Sequence, residues 1–164
     1  MNPNLLRLKM KNHPEEDVVV ESLKQRNMSK LVLALTTSSL DKLTNAGVIL
    51  SGAAAEDMEV DVYVLVNAGQ AFVKSQNGNV SGMADTAQSA EKFQQALDQF
   101  STPKWTEFFE MAKDMTSVNV YVCSLAGKVA GGENKEDFID LVDEIVGIGE
   151  YLEGASGADL NITL

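Results

Sequence analysis

Short, uninterrupted apolar runs recur along the chain, separated by longer stretches of mostly helical character. The runs are KLVLAL (30–35), VDVYVLV (60–66), VNVYVC (118–123) and LNITL (160–164). Continuous apolar runs of this length are typical of strands buried on both faces, and parallel strands need a long crossover, usually a helix. The alternation therefore predicts an α/β protein, a three-layer α/β/α fold around a mainly parallel sheet of four to five strands.

The segments between the runs predict the covering helices. Residues 40–55 carry a stripe of leucine and alanine, and 87–100 places Ala90, Phe93, Leu97 and Phe100 on one face. Thr102 and Pro103 suit the cap and first turn of a further helix. Its apolar stripe is formed by Trp105, Phe108, Met111, Ala112 and Met115. A short helical turn over 124–132 and an acidic amphipathic helix over 135–154 complete the prediction.

The length of 164 residues fits one domain. Residues 30–164 hold all the predicted strands and form a single α/β domain, whereas 1–29 form an N-terminal extension. Acidic side chains precede basic ones in 15–26, as in a short helix, and the alternatives are a mobile tail or a docking arm. His13, the only histidine, lies in this extension without a cysteine or second histidine nearby, so no metal site is expected.

The charge balance restricts the partners. Thirteen Lys and Arg against 24 Asp and Glu give a net charge of −11, which argues against a nucleic-acid partner. Residues 31–164 contain no arginine, the usual clamp for phosphate groups. A lone cysteine excludes an internal disulfide, and no apolar run approaches the ~20 residues that a membrane helix needs. We expect a cytoplasmic protein without a membrane partner.

The glycines of the chain do not predict a cofactor. Gly147, Gly149 and Gly154 resemble a dinucleotide-binding motif in their spacing, but the predicted helix over 135–154 places them late in a helix rather than after a strand. We interpret them as helix-ending residues. Nothing matches the spacing of a phosphate-binding P-loop.

A polar turn follows the first predicted strand. Thr36, Thr37, Ser38 and Ser39 precede a helix, where hydroxyl groups and free backbone amides hold a phosphate or another anion in many proteins. The same residues are also favoured as a plain helix cap that binds no ligand. Both interpretations stay open.

Cys123 ends the third predicted strand. Reacting groups in open parallel sheets gather at the carboxyl ends of the strands, and the amides of a following helical turn would favour the nucleophilic thiolate. The alternative is a buried cysteine that acts as a small apolar side chain. Ser124 and Lys128, in the turn after the cysteine, are candidate substrate-binding residues, although a solvated surface lysine is the alternative for Lys128.

These residues resemble a known family. Tyr121-Val122-Cys123, the turn to Gly131 and the segment that begins Lys135-Glu136-Asp137-Phe138 are similar to the DsrE/DsrF-like sulfur-relay proteins. The resemblance extends to 30–55 and 60–72, and therefore covers most of 30–164 and none of 1–29. It implies a flavodoxin-like, DsrEFH-like fold. It also implies that Cys123 accepts sulfur as a persulfide or thiosulfonate and passes it to a partner protein.

The resemblance further implies sulfur donor and acceptor proteins as partners, no cofactor, and a homo-oligomer, either a dimer or a trimer. Trp105, Phe108 and Phe109 add to the expectation of an interface, because one helix face does not easily bury three large aromatic side chains.

The leading hypothesis is thus a sulfur carrier or sulfurtransferase subunit, which would be an enzyme only if it catalyses the transfer. The alternative is a non-catalytic flavodoxin-like module that binds a small anion or nucleotide at 36–39. A structural or regulatory protein in which Cys123 is inert is the third hypothesis.

Overall fold

Strands and helices alternate along the part of the chain that the computed structural model describes, which comprises residues 29–76, 78, 80, 82 and 90–164. The predictions for the extension, including the helix over 15–26 and His13, lie outside the described residues. Residues 77, 79, 81 and 83–89 also lie outside them, and with them the start of the predicted helix over 87–100.

Up to residue 130 the described strands and long helices follow the predicted order. In chain order they are β1 (Lys30–Leu35), α1 (Leu40–Ala55), β2 (Glu59–Val64), α2 (Gly69–Phe72), α3 (Ala90–Gln99), α4 (Trp105–Met115), β3 (Val118–Cys123), α5 (Ser124–Ala130), β4 (Glu144–Val146), α6 (Ile148–Gly157) and β5 (Leu160–Thr163). Two short 3₁₀ helices cover Val66–Ala68 and Lys135–Asp137.

All five strands are parallel, in the order β4-β3-β2-β1-β5. Helices cover both faces of this sheet. The predicted fold class, a three-layer α/β/α fold around a parallel sheet of four to five strands, is confirmed.

The direction of the crossovers decides which face each helix covers. From β1 to β4 the chain moves stepwise toward one edge of the sheet, whereas the last crossover returns from β4 to the opposite edge beside β1. Because such crossovers are right-handed, the last one must cover the other face. A Cβ on Gly127 of α5 would lie 3.7 Å from Val122 Cγ1, on the first face. A Cβ on Gly154 of α6 would lie 2.6 Å from the Tyr63 hydroxyl, on the second.

The first face carries the main apolar core. Alternate residues of β1, β2 and β3 pack there against α1, α4 and α5, for example Leu33, Leu43 and Phe109, all with 0% exposure. The second face holds Asp61 and Tyr63 of β2 and Asn119, Tyr121 and Cys123 of β3. In the described residues α6 has no buried residue, so it covers this second face only thinly.

The predicted helix over 135–154 is wrong. In its place are a 3₁₀ turn, an irregular segment, the short strand β4 and helix α6. Phe138, Leu141 and Val142 are buried, but they enter the core from that irregular segment. A helix was predicted because their spacing fits a helical stripe. Ile145 instead pairs with Val122 at the sheet edge, where a β-branched residue is favoured.

Helices α3 and α4 differ from prediction in their buried faces. Phe100 is 79% exposed, and α3 buries no residue. In α4 the buried residues are Trp105, Phe109 and Ala112, whereas Met111 and Met115 are exposed, and the helix begins after Lys104 rather than at Thr102. Of the three aromatic side chains of α4, those of Trp105 and Phe109 are buried in the core, whereas that of Phe108 is half-buried and packs against Gly47 of α1.

Candidate functional site

The sheet has a topological switch point between β3 and β4. The connection after β3 leads to α5 on the first face, and the connection after β4 leads to α6 on the second. In open parallel sheets, ligands and reacting groups lie in the crevice that such diverging connections leave at the carboxyl ends of the strands. Cys123 pairs with Val146 at this point. The fold therefore places the one cysteine of the chain at the crevice.

Cys123 is half-buried, and it is the N-cap residue of α5. The burial pattern of β3 alternates, so Asn119, Tyr121 and Cys123 share the thinly covered second face. Extended backbone at Cys123 (φ −60°, ψ 130°) turns directly into α5. Helix α5 thus begins at Cys123, although the cysteine side chain makes no capping hydrogen bond to the helix. The partial positive charge of a helix N-terminus favours an anion.

The glycine pattern lies where the sequence interpretation excluded it. Gly147 joins β4 to α6 as the N-cap residue and Gly149 lies in the first turn, so these two glycines follow a strand and open a helix, whereas Gly154 lies in the last turn of α6. The interpretation as residues late in a helix is therefore wrong for Gly147 and Gly149, because the helix over 135–154 does not form. A Cβ on Gly147 or Gly149 would meet nothing within 4 Å, which leaves the start of α6 open beside the cysteine strand.

A polar row crosses the second face next to this crevice. The Asp61 carboxylate is 5% exposed, lies 2.7 Å from Lys30 Nζ and accepts a hydrogen bond from Asn119 Nδ2 at 3.0 Å. The hydrogen bond with Asp61 is the main reason that the pKa of Lys30 is raised. The buried charge is therefore paired, as burial requires.

Three tyrosine rings continue the row toward α6. The Tyr63 ring centroid lies 5.2 Å from that of Tyr121 and 5.3 Å from that of Tyr151. The Tyr63 hydroxyl donates to the Glu150 carbonyl at 3.2 Å. Burial, reinforced by the charge of Asp61, raises the pKa of Tyr63 to about 12, and the same causes raise that of Tyr121. Both phenols are neutral at physiological pH.

One strained residue and several exposed apolar side chains lie near the carboxyl ends of the strands, referred to below as the carboxyl edge. Val66 has a φ of +43°, a left-handed conformation that is costly for a β-branched residue and is found mostly at functional sites. Its side chain is 62% exposed, and those of Leu125 and Val129 on α5 are 65% and 60% exposed. These three side chains, together with Ile148 at the start of α6, are referred to below as the apolar rim.

The hydroxyl groups of the predicted anion-binding turn mostly bind protein atoms. Thr36 Oγ1 donates to the Leu164 carbonyl at 2.6 Å, and Thr37 Oγ1 accepts from the Ser39 amide at 3.3 Å. Ser38 Oγ accepts from Asn67 Nδ2 at 3.4 Å, which links the turns after β1 and β2.

The first helical amide of α1 is also occupied, because Leu40 N–H donates to the Gly82 carbonyl at 2.8 Å. Ser39 Oγ is buried and has no partner among the described residues.

The other two predicted site residues lie on α5. Ser124 is exposed and directly follows the cysteine. Lys128 is exposed and lies about one and a half helical turns beyond Cys123 along α5. Its position on the helix therefore does not by itself place the ammonium group next to the sulfur.

Sequence reasoning missed the polar row and the role of Gly147. A signal for the row is present in the sequence, because VDVYV in β2 and VNVYV in β3 have the same pattern. Their register pairs Asp61 with Asn119 and Tyr63 with Tyr121. Two aligned strands with polar residues at the same alternate positions indicate a polar face.

The chain matches no family model and no curated protein sequence. Across the described ranges, every helix is too short or too polar to cross a membrane.

Proposed function

We propose that this protein is a sulfur carrier in which Cys123 accepts a sulfane sulfur atom and delivers it to a partner protein. The observation that supports this function best is the half-buried position of Cys123 at the switch point between β3 and β4. The resemblance of 30–164 to sulfur-relay proteins points to the same residue. The transfer requires no cofactor.

The transfer needs one nucleophilic sulfur and no oxidant. The Cys123 thiolate attacks the terminal sulfur of a donor persulfide, the donor S–S bond breaks, and a new S–S bond forms at Cys123 Sγ. The donor leaves as a thiolate and takes up a proton. Because the chain has one cysteine, its own thiols cannot displace this sulfur within the same molecule. Discharge must occur on another molecule, which is the behaviour of a carrier.

The surroundings of Cys123 suit the negative charge of a bound persulfide. A bound persulfide is anionic near neutral pH, and two helix N-termini with positive partial charge follow the paired residues Cys123 and Val146, namely those of α5 and α6. Exposed Glu144 and Glu150 act in the opposite direction, but solvent screens their charges. Thiosulfonate, which carries more charge and bulk, is the alternative form of the cargo.

The apolar rim supports a protein partner rather than free small molecules alone. Val66, Leu125 and Ile148 are each more than half exposed around the carboxyl edge, and clustered apolar side chains of this kind mark interaction surfaces. We assign this rim to the docking of donor and acceptor proteins. The further proposals, a cytoplasmic location and a homo-oligomer of two or three chains, rest on the lone cysteine and on the resemblance.

Mass spectrometry of the intact protein after exposure to polysulfide tests the function. The wild type should gain the mass of one or more sulfur atoms, and Cys123→Ser should gain none. The matched control is Cys123→Ser/Ser124→Cys, which keeps one thiol but moves it one residue along the exposed start of α5. It should load at least about tenfold more slowly if the N-cap position activates the sulfur. Equal loading of the wild type and the moved thiol would contradict the assignment.

The second hypothesis, a module that binds a small anion or nucleotide at 36–39, has one favourable observation, the unpartnered buried hydroxyl of Ser39. The amide of Leu40 is already occupied by the Gly82 carbonyl, and Asp41 places an acid in the first turn of α1. A thermal-shift screen with inorganic phosphate and adenine and flavin nucleotides tests this hypothesis. A rise in melting temperature that Ser39→Ala abolishes would favour it.

A further inference from the structure

Helix α6 leaves an apolar and acidic surface exposed. None of its residues is buried. Ile148 and Leu152, one helical turn apart on the same side, are 53% and 61% exposed. The carboxylates of Glu150 and Glu153 are also exposed, and neither forms an ion pair with a described residue. These four side chains are referred to below as the α6 surface.

The charges of the sequence around this surface are all negative. Residues 136–164 contain eight acidic residues and no lysine or arginine. The last turn of α6 also lacks a basic residue, although the negative end of the helix dipole favours one there. A second copy of α6 would bring like charges together, which disfavours it as the occupant of this surface. The α6 surface therefore fits an apolar segment that carries positive charge.

The N-terminal extension of the chain contains such a segment. In residues 5–11 (LLRLKMK), apolar and basic residues alternate from Leu6 onward, and residues 1–14 contain no acidic residue. Residues 15–28, in contrast, contain four acidic residues, which an acidic surface would repel. The segment 5–11 thus matches both the apolar side chains and the charge of the α6 surface.

The extension joins the described fold at the C-terminal end of α6. Lys30 N–H donates to Asp159 Oδ2 at 2.8 Å, and Asp159 N–H donates to the Lys30 carbonyl at 3.0 Å. Asp159 lies two positions after the last residue of α6. Residues 12–28 can span up to about 60 Å. Helix α6 is only about 15 Å long. The segment 5–11 can therefore reach every part of the α6 surface of its own chain.

We propose that residues 5–11 dock on the α6 surface of the same chain. Their apolar side chains lie against Ile148 and Leu152. Their basic side chains pair with Glu150 and Glu153, which sets the register of the segment. Exposed ion pairs contribute little each, so the apolar contacts and the high effective concentration of a tethered segment supply the affinity. The proposal does not depend on the sulfur-carrier function.

Carbodiimide cross-linking of the full chain tests this contact. The reagent joins a lysine amine to a carboxylate with loss of water, and only where the two groups meet. Peptide mass spectrometry of unlabelled and isotope-labelled protein, mixed in equal amounts, separates couplings within a chain from those between chains. Lys9 and Lys11 should couple to the two carboxylates of the α6 surface within one chain. Coupling to Glu110, an exposed carboxylate of α4 on the first face, should be at least about tenfold weaker.

Two sets of variants separate the apolar contacts from the charges. Leu6→Ser/Leu8→Ser keeps both lysines and should lower the coupling about three- to tenfold, because it removes the apolar contacts. Its matched control, Val18→Ser/Val20→Ser, changes the extension outside the segment and should leave the coupling unchanged. The charge-swapped variant Lys9→Glu/Lys11→Glu/Glu150→Lys/Glu153→Lys should still couple between the same positions, because the opposite charges are retained.

The outcomes that contradict the proposal are specific. Coupling of Lys9 and Lys11 to Glu110 that equals their coupling to the α6 surface would overturn it. Coupling only between labelled and unlabelled chains would assign the segment to a second copy and overturn docking within the chain. An effect of the valine variant as large as that of the leucine variant would overturn the assignment to residues 5–11.

Discussion

Thr44→Val should stabilise the protein, although it alters a buried residue of the longest described helix. Valine has nearly the shape of threonine, both are β-branched, and their helix propensities are similar, so α1 itself should be unaffected. Thr44 is 6% exposed, and its hydroxyl group has no hydrogen-bond partner among the described residues. The substitution removes this hydroxyl group.

The size of the effect follows from the cost of that hydroxyl. A buried polar group without a partner costs about 1–3 kcal/mol, and the methyl group that replaces it adds a small gain of apolar burial. We therefore expect a gain of about 1 kcal/mol in the free energy of unfolding, which corresponds to a rise in Tm of about 2–4 °C for a chain of this size.

The assay is urea unfolding of the ligand-free protein, followed by circular dichroism, with calorimetry for the Tm. Thr116→Val is the matched control, because Thr116 Oγ1 donates to the Met58 carbonyl at 3.0 Å. The same chemical change at that position should destabilise the protein by about 1 kcal/mol. If Thr44→Val is as destabilising as the control, the Thr44 hydroxyl is already satisfied, and the reasoning fails.

Further predictions concern close packing, pH and the extension. Gly47→Ala should destabilise by about 1–3 kcal/mol in urea unfolding, since a Cβ would lie 2.6 Å from Phe108 Cβ. Gly52→Ala, where a Cβ meets nothing within 4 Å, should instead stabilise by about 0.5–1 kcal/mol, and the reverse order would contradict the packing. The folded protein holds the Tyr63 proton more tightly than the unfolded chain. Stability from this group should therefore be complete below pH 10 and lost as the pH rises through about 12, and Tyr63→Phe should flatten that part of the Tm profile. Deletion of residues 1–27 should leave a cooperative melting transition, because the described strands pair with one another, and its loss would assign the extension to the fold.

The order of the elements could be predicted from the sequence because each buried strand is an unbroken apolar run. KLVLAL and VNVYVC coincide with β1 and β3, and the helix over 40–55 has the predicted bounds. The position of Cys123 at the end of β3 followed directly from this order.

The last third of the chain could not be predicted in the same way. Phe138, Leu141, Val142 and Ile145 recur at helical spacing, but three residues of β4 at the sheet edge are too few to produce a recognisable alternation. The single predicted helix over 135–154 places Gly147 late in a helix, whereas in the structure Gly147 precedes the first residue of α6. The switch point beside Cys123 was consequently missed, because it depends on where β4 lies and on the face that α6 covers.

The unpartnered hydroxyl of Thr44 was beyond prediction for a different reason. Nothing in the local sequence around Thr44 distinguishes a partnered hydroxyl from an unpartnered one. Whether a side-chain hydroxyl forms a hydrogen bond depends on tertiary geometry, which the helical periodicity of α1 does not predict.

The return of the chain from β4 to the far edge of the sheet has a consequence for folding. Lys30 N–H donates to Asp159, a closure over 129 residues, and β5 pairs with β1 along the same edge. Such a non-local closure costs chain entropy and should come late. Until it forms, the apolar strand β1 is an open edge, and edges of this kind recruit other chains. Substitutions that loosen α6 or β5 should therefore appear first as aggregation during refolding.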